Sequence, residues 1–566
     1  MMTESNDSKR IALYEAVKMT AFIAGLFSLI VVGVLVVSFL EVKLIEPIRT
    51  EKLELLKIKL LDEPGNEQML SDIRQLDLKI RNERVGRNSF SRSGYLLLLA
   101  GIAVFLISVK SAMVLKKSLP HPEVGGDQQA AQIRSSKLAR FATVIVMVVL
   151  AACVFYFAAK KKVDFAQAVA SYPSAEEIAK NWPSFRGPSG SGVSAYTNIP
   201  EKWDGKTSEG VSWKSPVDLP GHNSPIVWGD KIFVIGADRN KRRVYCFDAF
   251  TGELLWSRDV EVSPAKKFEA EEDTGYAAPT AATDGKRICA IFPAGDIVCF
   301  DFEGNQLWRK DLGLPDSMYG YSSSLAVYQN LFIVQYDHGY VDDNKSMMIA
   351  LDSFSGQIVW QTKRPVSSSW TSPIVADVNG MSQLITCGDP WVIAYDPANG
   401  RQLWRADCLG TDVAPSPIYA GGFIFAIQPY GEMFAIKPDG SGDVTNTHIA
   451  WKANDSGPDI CSPVSDGEFI FALQTQGDLT CYKVSDGTKL WEKDLETSLT
   501  ASPSIVGDRL YLLSEKGVMF IADIAGEYKQ VGKNEMGEKC YATPAFVDGR
   551  IYIRTTKNLY CIGKSN

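Results

Sequence analysis

One short phrase recurs along the C-terminal two thirds of this chain and limits what the chain can fold into. In its clearest copy, residues 244–256, a small residue is followed two positions later by Asp, then by Gly, and ten positions later by Trp. Further copies, some with one substitution or deletion, end at Trp308, Trp360, Trp404 and Trp491. A phrase that returns at a nearly fixed period is typical of a fold made of repeated units.

Each copy predicts a strand, a tight turn and a second strand. Residues 244–247 are β-branched, aromatic or small, as in a packed strand, and the Asp-Ala-Phe-Thr-Gly run that follows supplies the turn. A second hairpin precedes each phrase, as in residues 224–235, where the Gly-Asp pair is the turn. Each unit is therefore expected to be a four-stranded antiparallel meander.

Eight units follow one another at steps of 40 to 54 residues. Four strands per unit at this period predict an all-β, eight-bladed β-propeller. The last unit, from Ala542 to Cys561, holds only three strands, while a lone strand, Gly210–Lys214, stands before the first unit. We expect that strand to complete the eighth blade and close the ring, because closure removes the exposed edges of an open array. The units begin at Pro225, Pro279, Ser324, Pro373, Pro417, Pro463, Pro503 and Pro544.

The Ala-x-Asp-x-x-Thr-Gly-x-x-x-Trp form of the phrase resembles the tryptophan-docking motif of quinoprotein alcohol dehydrogenases. It equally resembles the pyrroloquinoline-quinone (PQQ)-like repeats of BamB-type propellers. The resemblance covers residues 182–564, and the lead-in Asn181–Gly192 is similar to the opening of exported bacterial propellers. It implies that each Trp packs between neighbouring blades, and that blade seven, which lacks the Trp near residues 521–531, makes a weaker contact. The tryptophans to which it assigns docking are Trp213, Trp256, Trp308, Trp360, Trp404, Trp451 and Trp491.

Three apolar stretches precede the propeller. Residues 19–40, 95–115 and 141–159 are each long enough to cross a bilayer, and we expect three transmembrane helices. The charged segment 41–92 between the first two contains a Pro-Gly-Asn turn and is expected to form a helical hairpin. The expected organisation is a membrane region over 1–162, a linker over 163–181 and the propeller over 182–566.

Charge is divided unevenly between these parts. Residues 1–162 carry a net charge of +8 and the rest −15, which together give the −7 of the chain. An acidic propeller repels nucleic acid and anionic lipid, so we expect neither as its partner. Loops rich in Lys and Arg usually lie on the cytoplasmic side of a membrane, and a plain count of these residues in the loops favours a cytoplasmic propeller. The resemblance to exported proteins favours a periplasmic propeller held by a multi-pass anchor in the bacterial inner membrane, and we adopt this topology.

Two functions of different classes follow from the resemblance. Quinoprotein dehydrogenases hold the quinone over the propeller axis with a calcium or lanthanide ion, a catalytic Asp and usually a disulfide of adjacent cysteines. This chain has no Cys-Cys pair, no Cys-x-x-Cys and no ligand spacing among its four histidines. We therefore expect no PQQ, no metal and no catalytic residue, and a membrane-anchored scaffold that binds envelope proteins or peptides. A PQQ-dependent dehydrogenase, or another envelope enzyme, is the alternative.

The long insertions indicate which face of the propeller binds. Residues 258–276 join blade one to blade two, and residues 336–346 join the second and third strands of blade three, so both emerge on one face. Residues 438–450 lie on the opposite face. Long loops on a rigid ring commonly carry binding sites, and aromatic residues among carboxylates can anchor a basic or peptide-like partner. The candidate residues are His222, Asn223, Tyr276, Asp337, His338, Tyr340, Asp342 and Asp343.

Overall fold

The computed structural model of the chain describes residues 13–29, 31–32, 98, 101–115, 172–261, 268–271, 274–454 and 457–563. The chain divides into two compact units, Met1–Ser171 and Tyr172–Asn566.

In the first unit, residues 13–29, 31–32 and 101–115 are helical. The two longer runs pack closely because each presents a glycine to a side chain of the other. A Cβ added to Gly101 would lie 2.5 Å from Ser28 Oγ, and one added to Gly25 would lie 3.3 Å from the Phe105 ring. Among the described residues, no helix combines the length and the apolar character needed to cross a membrane.

The transmembrane prediction is thus unsupported for residues 19–40 and 95–115. The third predicted span, 141–159, the hairpin 41–92 and the first part of the linker, 163–171, lie outside the described residues. The last part of the linker contains one short helix, α1 (Ala175–Ala179), which is capped by the hydroxyl of Ser174.

The second unit is an eight-bladed β-propeller, as the repeat predicts. Two strands come before the first blade in the chain: β1 (Val193–Ser194) and β2 (Val211–Pro216). Blades one and two contain β3 (Ile226–Trp228), β4 (Lys231–Ala237), β5 (Arg242–Asp248), β6 (Leu254–Val260), β7 (Ala282–Thr283), β8 (Arg287–Ile291), β9 (Asp296–Asp301) and β10 (Gln306–Asp311). Blades three and four contain β11 (Ala326–Tyr328), β12 (Leu331–Tyr336), β13 (Met347–Asp352), β14 (Ile358–Lys363), β15 (Ile374–Val378), β16 (Met381–Gly388), β17 (Trp391–Tyr395) and β18 (Gln402–Asp407).

The remaining strands build blades five to eight. Blades five and six contain β19 (Ile418–Ala420), β20 (Phe423–Ile427), β21 (Met433–Ile436), β23 (Ile449–Ala453), β24 (Val464–Ser465), β25 (Phe469–Leu473), β26 (Asp478–Lys483) and β27 (Lys489–Asp494), while β22 (Gly442–Asp443) joins the outer edge of blade four. Blades seven and eight contain β28 (Ser504–Val506), β29 (Arg509–Leu513), β30 (Val518–Asp523), β31 (Gln530–Glu535), β32 (Ala545–Val547), β33 (Arg550–Arg554) and β34 (Asn558–Gly563). Within each blade the strands pair antiparallel from the axis outwards.

The ring closes as predicted. Strand β2 pairs antiparallel with β34, so a strand from before the first blade becomes the outermost strand of the eighth. Trp213 then lies opposite Cys561, as Trp256 lies opposite Cys246 in blade one. The small residue of the repeat leaves room for the indole on the neighbouring strand.

The tryptophans join neighbouring blades through the turn glycine. Trp256 Nε1 donates to the carbonyl oxygen of Phe302 at 2.9 Å, and a Cβ added to Gly304 would lie 2.8 Å from the indole. In the same way the indole N–H groups of five others donate to backbone carbonyls of the following blade: those of Trp213, Trp308, Trp360, Trp451 and Trp491.

Trp404 departs from this arrangement. Its Nε1 donates to Gln383 Oε1 of its own blade at 2.8 Å, and its side chain is fully buried. Strand β22 pairs in parallel with β18 and places Gly442 beside Trp404, which accounts for that burial. The insertion 438–450 of blade five is thus packed against blade four, with Gln383 Nε2 donating to the carbonyl oxygen of Pro438 at 2.9 Å.

Blade seven lacks the Trp, and another residue fills the position. Gly532 lies opposite Ile521, at the register where other blades carry Trp. Trp203, from the segment before β2, is buried against this blade: its backbone N–H donates to Asn534 Oδ1 at 3.0 Å, and its Nε1 lies 3.3 Å from Met536 Sδ. An indole is therefore present at the contact between blades seven and eight, although it comes from outside the repeat.

A belt of hydroxyl groups links the blades near the axis. The backbone N–H of Ser224, just before the innermost strand of blade one, donates to the hydroxyl of the equivalent residue in blade two, and this step repeats around the ring at 2.9 to 3.0 Å. Each of these side chains is buried, so every bond satisfies a backbone group that has lost water. The accepting hydroxyls belong to Thr280, Ser324, Ser372, Ser416, Ser462, Ser502 and Thr543.

The lead-in segment 181–194 passes through the centre of the ring. It contacts the innermost strands, or the residues just before them, of blades one, two, six, seven and eight, so it lies on the axis. Trp182 and Arg186 of this segment are buried, and burial lowers the pKa of the Arg186 guanidinium to about 9. The contact partners in those blades are Val227, Thr283, Pro463, Ile505 and Phe546.

Candidate binding face

The propeller has two faces, which carry different loops. The connector face, as we call it, carries the connectors between blades and the loops between second and third strands; the turn face carries the other hairpin turns. On the connector face the elements touch one another: the backbone N–H of Asp316, between blades two and three, donates to His338 Nδ1 of the blade-three loop at 3.3 Å. The connector after blade two and the blade-three loop therefore form one surface.

The blade-three loop presents three of the predicted residues to solvent. Tyr340 is 79% exposed, and Asp342 and Asp343 follow it in a short 3-10 helix, Val341–Asp343. Asp343 Oδ2 accepts from the Tyr340 backbone N–H at 3.1 Å and lies 3.2 Å from Lys345 Nζ. These bonds hold the tip of the loop, so the Tyr340 ring projects from an ordered turn.

Asn223 and Asp337, also predicted, lie in the interior. Asp337 Oδ1 is 2.9 Å from Arg364 Nε, and both side chains are fully buried. Burial raises the pKa of Asp337, although Arg364 opposes this. The Asn223 amide donates to the carbonyl oxygen of Ile235 and accepts from Arg554 of blade eight. Both side chains thus join parts of the ring, and we remove them from the candidate face.

The other predicted residues are half-buried on the connector face. The His338 ring packs on Tyr336 at 4.9 Å between centroids. The His222 ring packs on Tyr541 at 4.7 Å, beside the contact between blades eight and one. Tyr276 packs edge-on against Phe268 at 6.0 Å.

Sequence reasoning missed several aromatic residues on this face. The Tyr319 and Trp370 rings lie 5.1 Å apart at an interplanar angle of 79°, and Trp370 Nε1 donates to Ser317 Oγ at 3.1 Å. Tyr430, in the blade-five loop, is 75% exposed and has a φ of +57°. Phe268 reaches the same region, since a Cβ added to Gly320 would lie 2.6 Å from its ring. We define the aromatic patch as Phe268, Tyr276, Met318, Tyr319, Tyr340, Trp370 and Tyr430.

Carboxylates surround the aromatic patch. Asp342 and Asp412 are exposed, and neither pairs with a cation among the described residues. Asp459 Oδ1 accepts from the backbone and hydroxyl of Thr475, and its Oδ2 lies 3.4 Å from the Tyr430 hydroxyl. The charge of Asp459 raises the pKa of Tyr430, with burial and the nearby Tyr319 and Asp412 adding to the effect. The patch therefore combines exposed apolar surface with unbalanced negative charge.

The turn face carries a different feature. An open cavity of about 440 Å³ lies beside the lead-in, between the first strands of blades four and five. Apolar and small hydroxyl side chains dominate its lining, with one carboxylate, Asp377. Across the part of the chain that the structure describes, no group of three or more His, Cys, Asp or Glu side chains could hold a metal ion.

Comparison with known proteins gives the same architecture. A family model described as outer membrane protein assembly factor BamB matches residues 202–379, 240–491 and 445–527, which together exceed half of the chain. BamB of Yersinia pestis is 23% identical over 323 residues, covering 54% of this chain and 80% of the relative. BamB of Bordetella pertussis is 20% identical over 304 residues, covering 50% of this chain and 68% of the relative.

A solved structure, quinohemoprotein alcohol dehydrogenase from Comamonas testosteroni, superposes with a TM-score of 0.51 at 12% identity, covering 72% of this chain and 83% of that one. At this identity the likeness concerns the fold alone. The family match and the eight-bladed ring of PQQ-like repeats lead to one assignment. The chain belongs to the family described as outer membrane protein assembly factor BamB.

Proposed function

We propose that this protein is an assembly scaffold of the bacterial cell envelope that binds a protein partner through the aromatic patch on the connector face. The observation that carries the proposal is the exposure of Tyr340, Tyr430 and Met318, at 79%, 75% and 69%, on ordered loops of one face. Large apolar side chains that converge on a rigid surface are typical of protein-binding sites. The relatives named as assembly factors support this class of function.

A capture experiment tests the proposal. The full chain is cross-linked in cells and purified, and its partners are compared with those of the triple variant Tyr340→Ala, Asp342→Ala, Asp343→Ala. We expect the variant to lose the main partner. The double variant Phe250→Ala, Glu303→Gln, on exposed hairpins of the turn face, serves as the control. Partner loss in the control alone would show that the wrong face has been chosen.

We propose further that the scaffold works without PQQ, a metal ion or catalysis of its own. The lead-in segment supports this, because Trp182 and Arg186 fill the axis over which quinoprotein dehydrogenases hold their cofactor. Incubation of the protein with PQQ and calcium is expected to give neither quinone absorbance in the reisolated protein nor dye-linked alcohol oxidation. Stoichiometric quinone uptake would favour the dehydrogenase alternative.

The membrane anchor remains part of the proposal. The described helical runs expose several large apolar side chains, including Phe22 and Leu29 in one and Ile107 and Met113 in the other. Lipid is the environment that accepts such surfaces at lowest cost. We propose that the spans at 19–40, 95–115 and 141–159 anchor the chain in the inner membrane, with the propeller in the periplasm.

Protease accessibility tests this topology. In spheroplasts, added protease is expected to digest the propeller and to spare the loop around residues 120–135. Protection of the propeller until the membrane is permeabilised would place it in the cytoplasm, as the literal charge count favours.

A further inference from the structure

Tyr430, in the aromatic patch, has a backbone conformation that is unusual for a residue with so large a side chain. Its φ of +57° lies in the left-handed region, which a bulky residue adopts only when the surrounding structure holds it there. Two backbone bonds do so: the Tyr430 N–H donates to the carbonyl oxygen of Gly457 at 3.1 Å, and the Gly431 N–H to that of Gln428 at 2.9 Å. The backbone is thus fixed while the ring is left 75% exposed.

Two carboxylates, Asp459 and Asp412, contribute negative charge near the Tyr430 ring. Asp459 contacts the Tyr430 hydroxyl, and Asp412, also at a positive φ of +62°, is close enough to influence its ionisation. Asp412 is exposed and has no basic partner among the described residues. Lys345, a basic residue at the blade-three loop, is already held by Asp316 at 2.6 Å and Asp343 at 3.2 Å.

Exposed aromatic faces beside carboxylates that have no basic partner among the described residues match one chemistry of ligand. A cation over a Tyr or Trp face is attracted by the ring, and an adjacent carboxylate adds a charge-assisted hydrogen bond. Arginine satisfies both at once, because its planar guanidinium stacks on a ring while its edge donates to a carboxylate. The apolar neighbours Met318 and Ile460, 69% and 49% exposed, would then contact apolar residues beside that arginine.

We propose that the aromatic patch recognises a basic segment of its partner, in which an arginine stacks on the ring of Tyr430 and pairs with Asp412 or Asp459 while neighbouring apolar residues cover Met318 and Ile460. This rests on the proposed scaffold function, because it names the chemistry of the segment that the same face binds. Charge complementarity selects this occupant over an acidic segment, which Asp342, Asp412 and Asp459 would repel.

The test uses the full chain in mild detergent and a fluorescein-labelled peptide in which arginine alternates with leucine. Two matched peptides replace arginine with citrulline, its neutral analogue, or with glutamate. By fluorescence anisotropy at low salt, we expect the arginine peptide to bind about tenfold more tightly than the citrulline peptide, and the difference to shrink as added salt screens the exposed charges.

The variants Tyr430→Asn and Asp412→Asn locate the site. Asparagine tolerates a positive φ, so the first variant removes the ring without straining the loop. We expect each to weaken binding of the arginine peptide by about fivefold, within the range of single cation–π and ion-pair contacts. Glu303→Gln, which removes an exposed charge from a turn-face hairpin, should leave binding unchanged.

Two failures can be told apart. If the arginine and citrulline peptides bind equally while the triple variant at Tyr340, Asp342 and Asp343 still loses its cellular partner, the scaffold function stands and the arginine inference is overturned. If cellular capture does not depend on the connector face at all, the proposed function fails first. Equal loss of peptide binding in Glu303→Gln would show attraction by overall charge only, which also overturns the inference.

Discussion

The indole Nε1 of Trp213 donates to the backbone carbonyl oxygen of Ala249 at 3.1 Å, across the boundary between blades eight and one. Trp213 comes from a strand that precedes all eight blades, so this bond and the β2–β34 ladder join the two ends of the chain's propeller. The stability of the whole ring therefore depends on a strand that belongs to no complete repeat.

Replacement of Trp213 by Ala is expected to destabilise the propeller by about 3–5 kcal/mol, the usual cost of truncating a buried aromatic side chain. Urea unfolding followed by tryptophan fluorescence measures the change. A truncation that begins at Asn223 should be destabilised further, because it also removes the outer ladder of blade eight. Unfolding of that truncation at the urea concentration of the intact propeller would contradict the closure.

The ion pair between Lys214, next to Trp213, and Glu538 makes the stability of the closed ring depend on pH. Burial alone would raise the pKa of Glu538, but hydrogen bonds from Lys214, Thr555, Asn558 and Tyr560 outweigh it and lower that pKa to about 2. Because the folded pKa lies below the ordinary value of 4.5, the stabilisation is complete above pH 4.5 and is lost as the pH falls towards 2. Glu538→Gln should therefore be less stable than the native chain at pH 7, with the gap closing between pH 4.5 and 2. A gap that does not vary with pH would refute this.

Trp203 is expected to act as the missing docking residue of blade seven. Trp203→Ala should cost about 3–5 kcal/mol, comparable with Trp256→Ala in a regular blade. The two variants are compared by thermal and urea unfolding. A loss below about 1 kcal/mol in Trp203→Ala would show that the indole is not part of the contact and that blade seven is held more weakly, as the repeat alone predicts.

The turn glycine that receives each Trp offers a matched pair of variants. Gly304 has a φ of +81°, and an added Cβ would lie 2.8 Å from the Trp256 ring. Gly229 has a φ of +59° with no atom within 4 Å of an added Cβ. Both Gly→Ala changes strain the backbone, but only Gly304→Ala also displaces an indole. We expect it to be destabilised by at least about 1 kcal/mol more than Gly229→Ala, and equal losses would show that the glycine does not receive the ring.

Spacing along the chain was enough to predict the blades, because Asp, Gly and Trp positions are local properties of a hairpin. The order of strands in the ring and its closure followed from the same count. Trp203 could not be predicted, since it lies outside the repeat and its contact with blade seven depends on tertiary packing. Trp404 follows the repeat in sequence, yet an insertion from the next blade covers it.

The binding face was predictable only in part. Tyr340, Asp342 and Asp343 stand in a long insertion, which marks them in the sequence. Asp337 lies in the same insertion, but its neighbour Arg364 comes from the following connector, so its burial depends on tertiary packing. Tyr319 and Trp370 lie in connectors between blades, and Tyr430 lies in a short loop within blade five. None of these segments is marked in the sequence, and only the ring brings the three residues together.

Site-specific photo-cross-linking tests the connector face most directly. A photoreactive phenylalanine is placed in cells at Met318, Tyr340 or, on the turn face, Phe250, which is 40% exposed. We expect a discrete cross-linked partner at Met318 and Tyr340 and none at Phe250. A cross-link at Phe250 with none at Met318 and Tyr340 would contradict it.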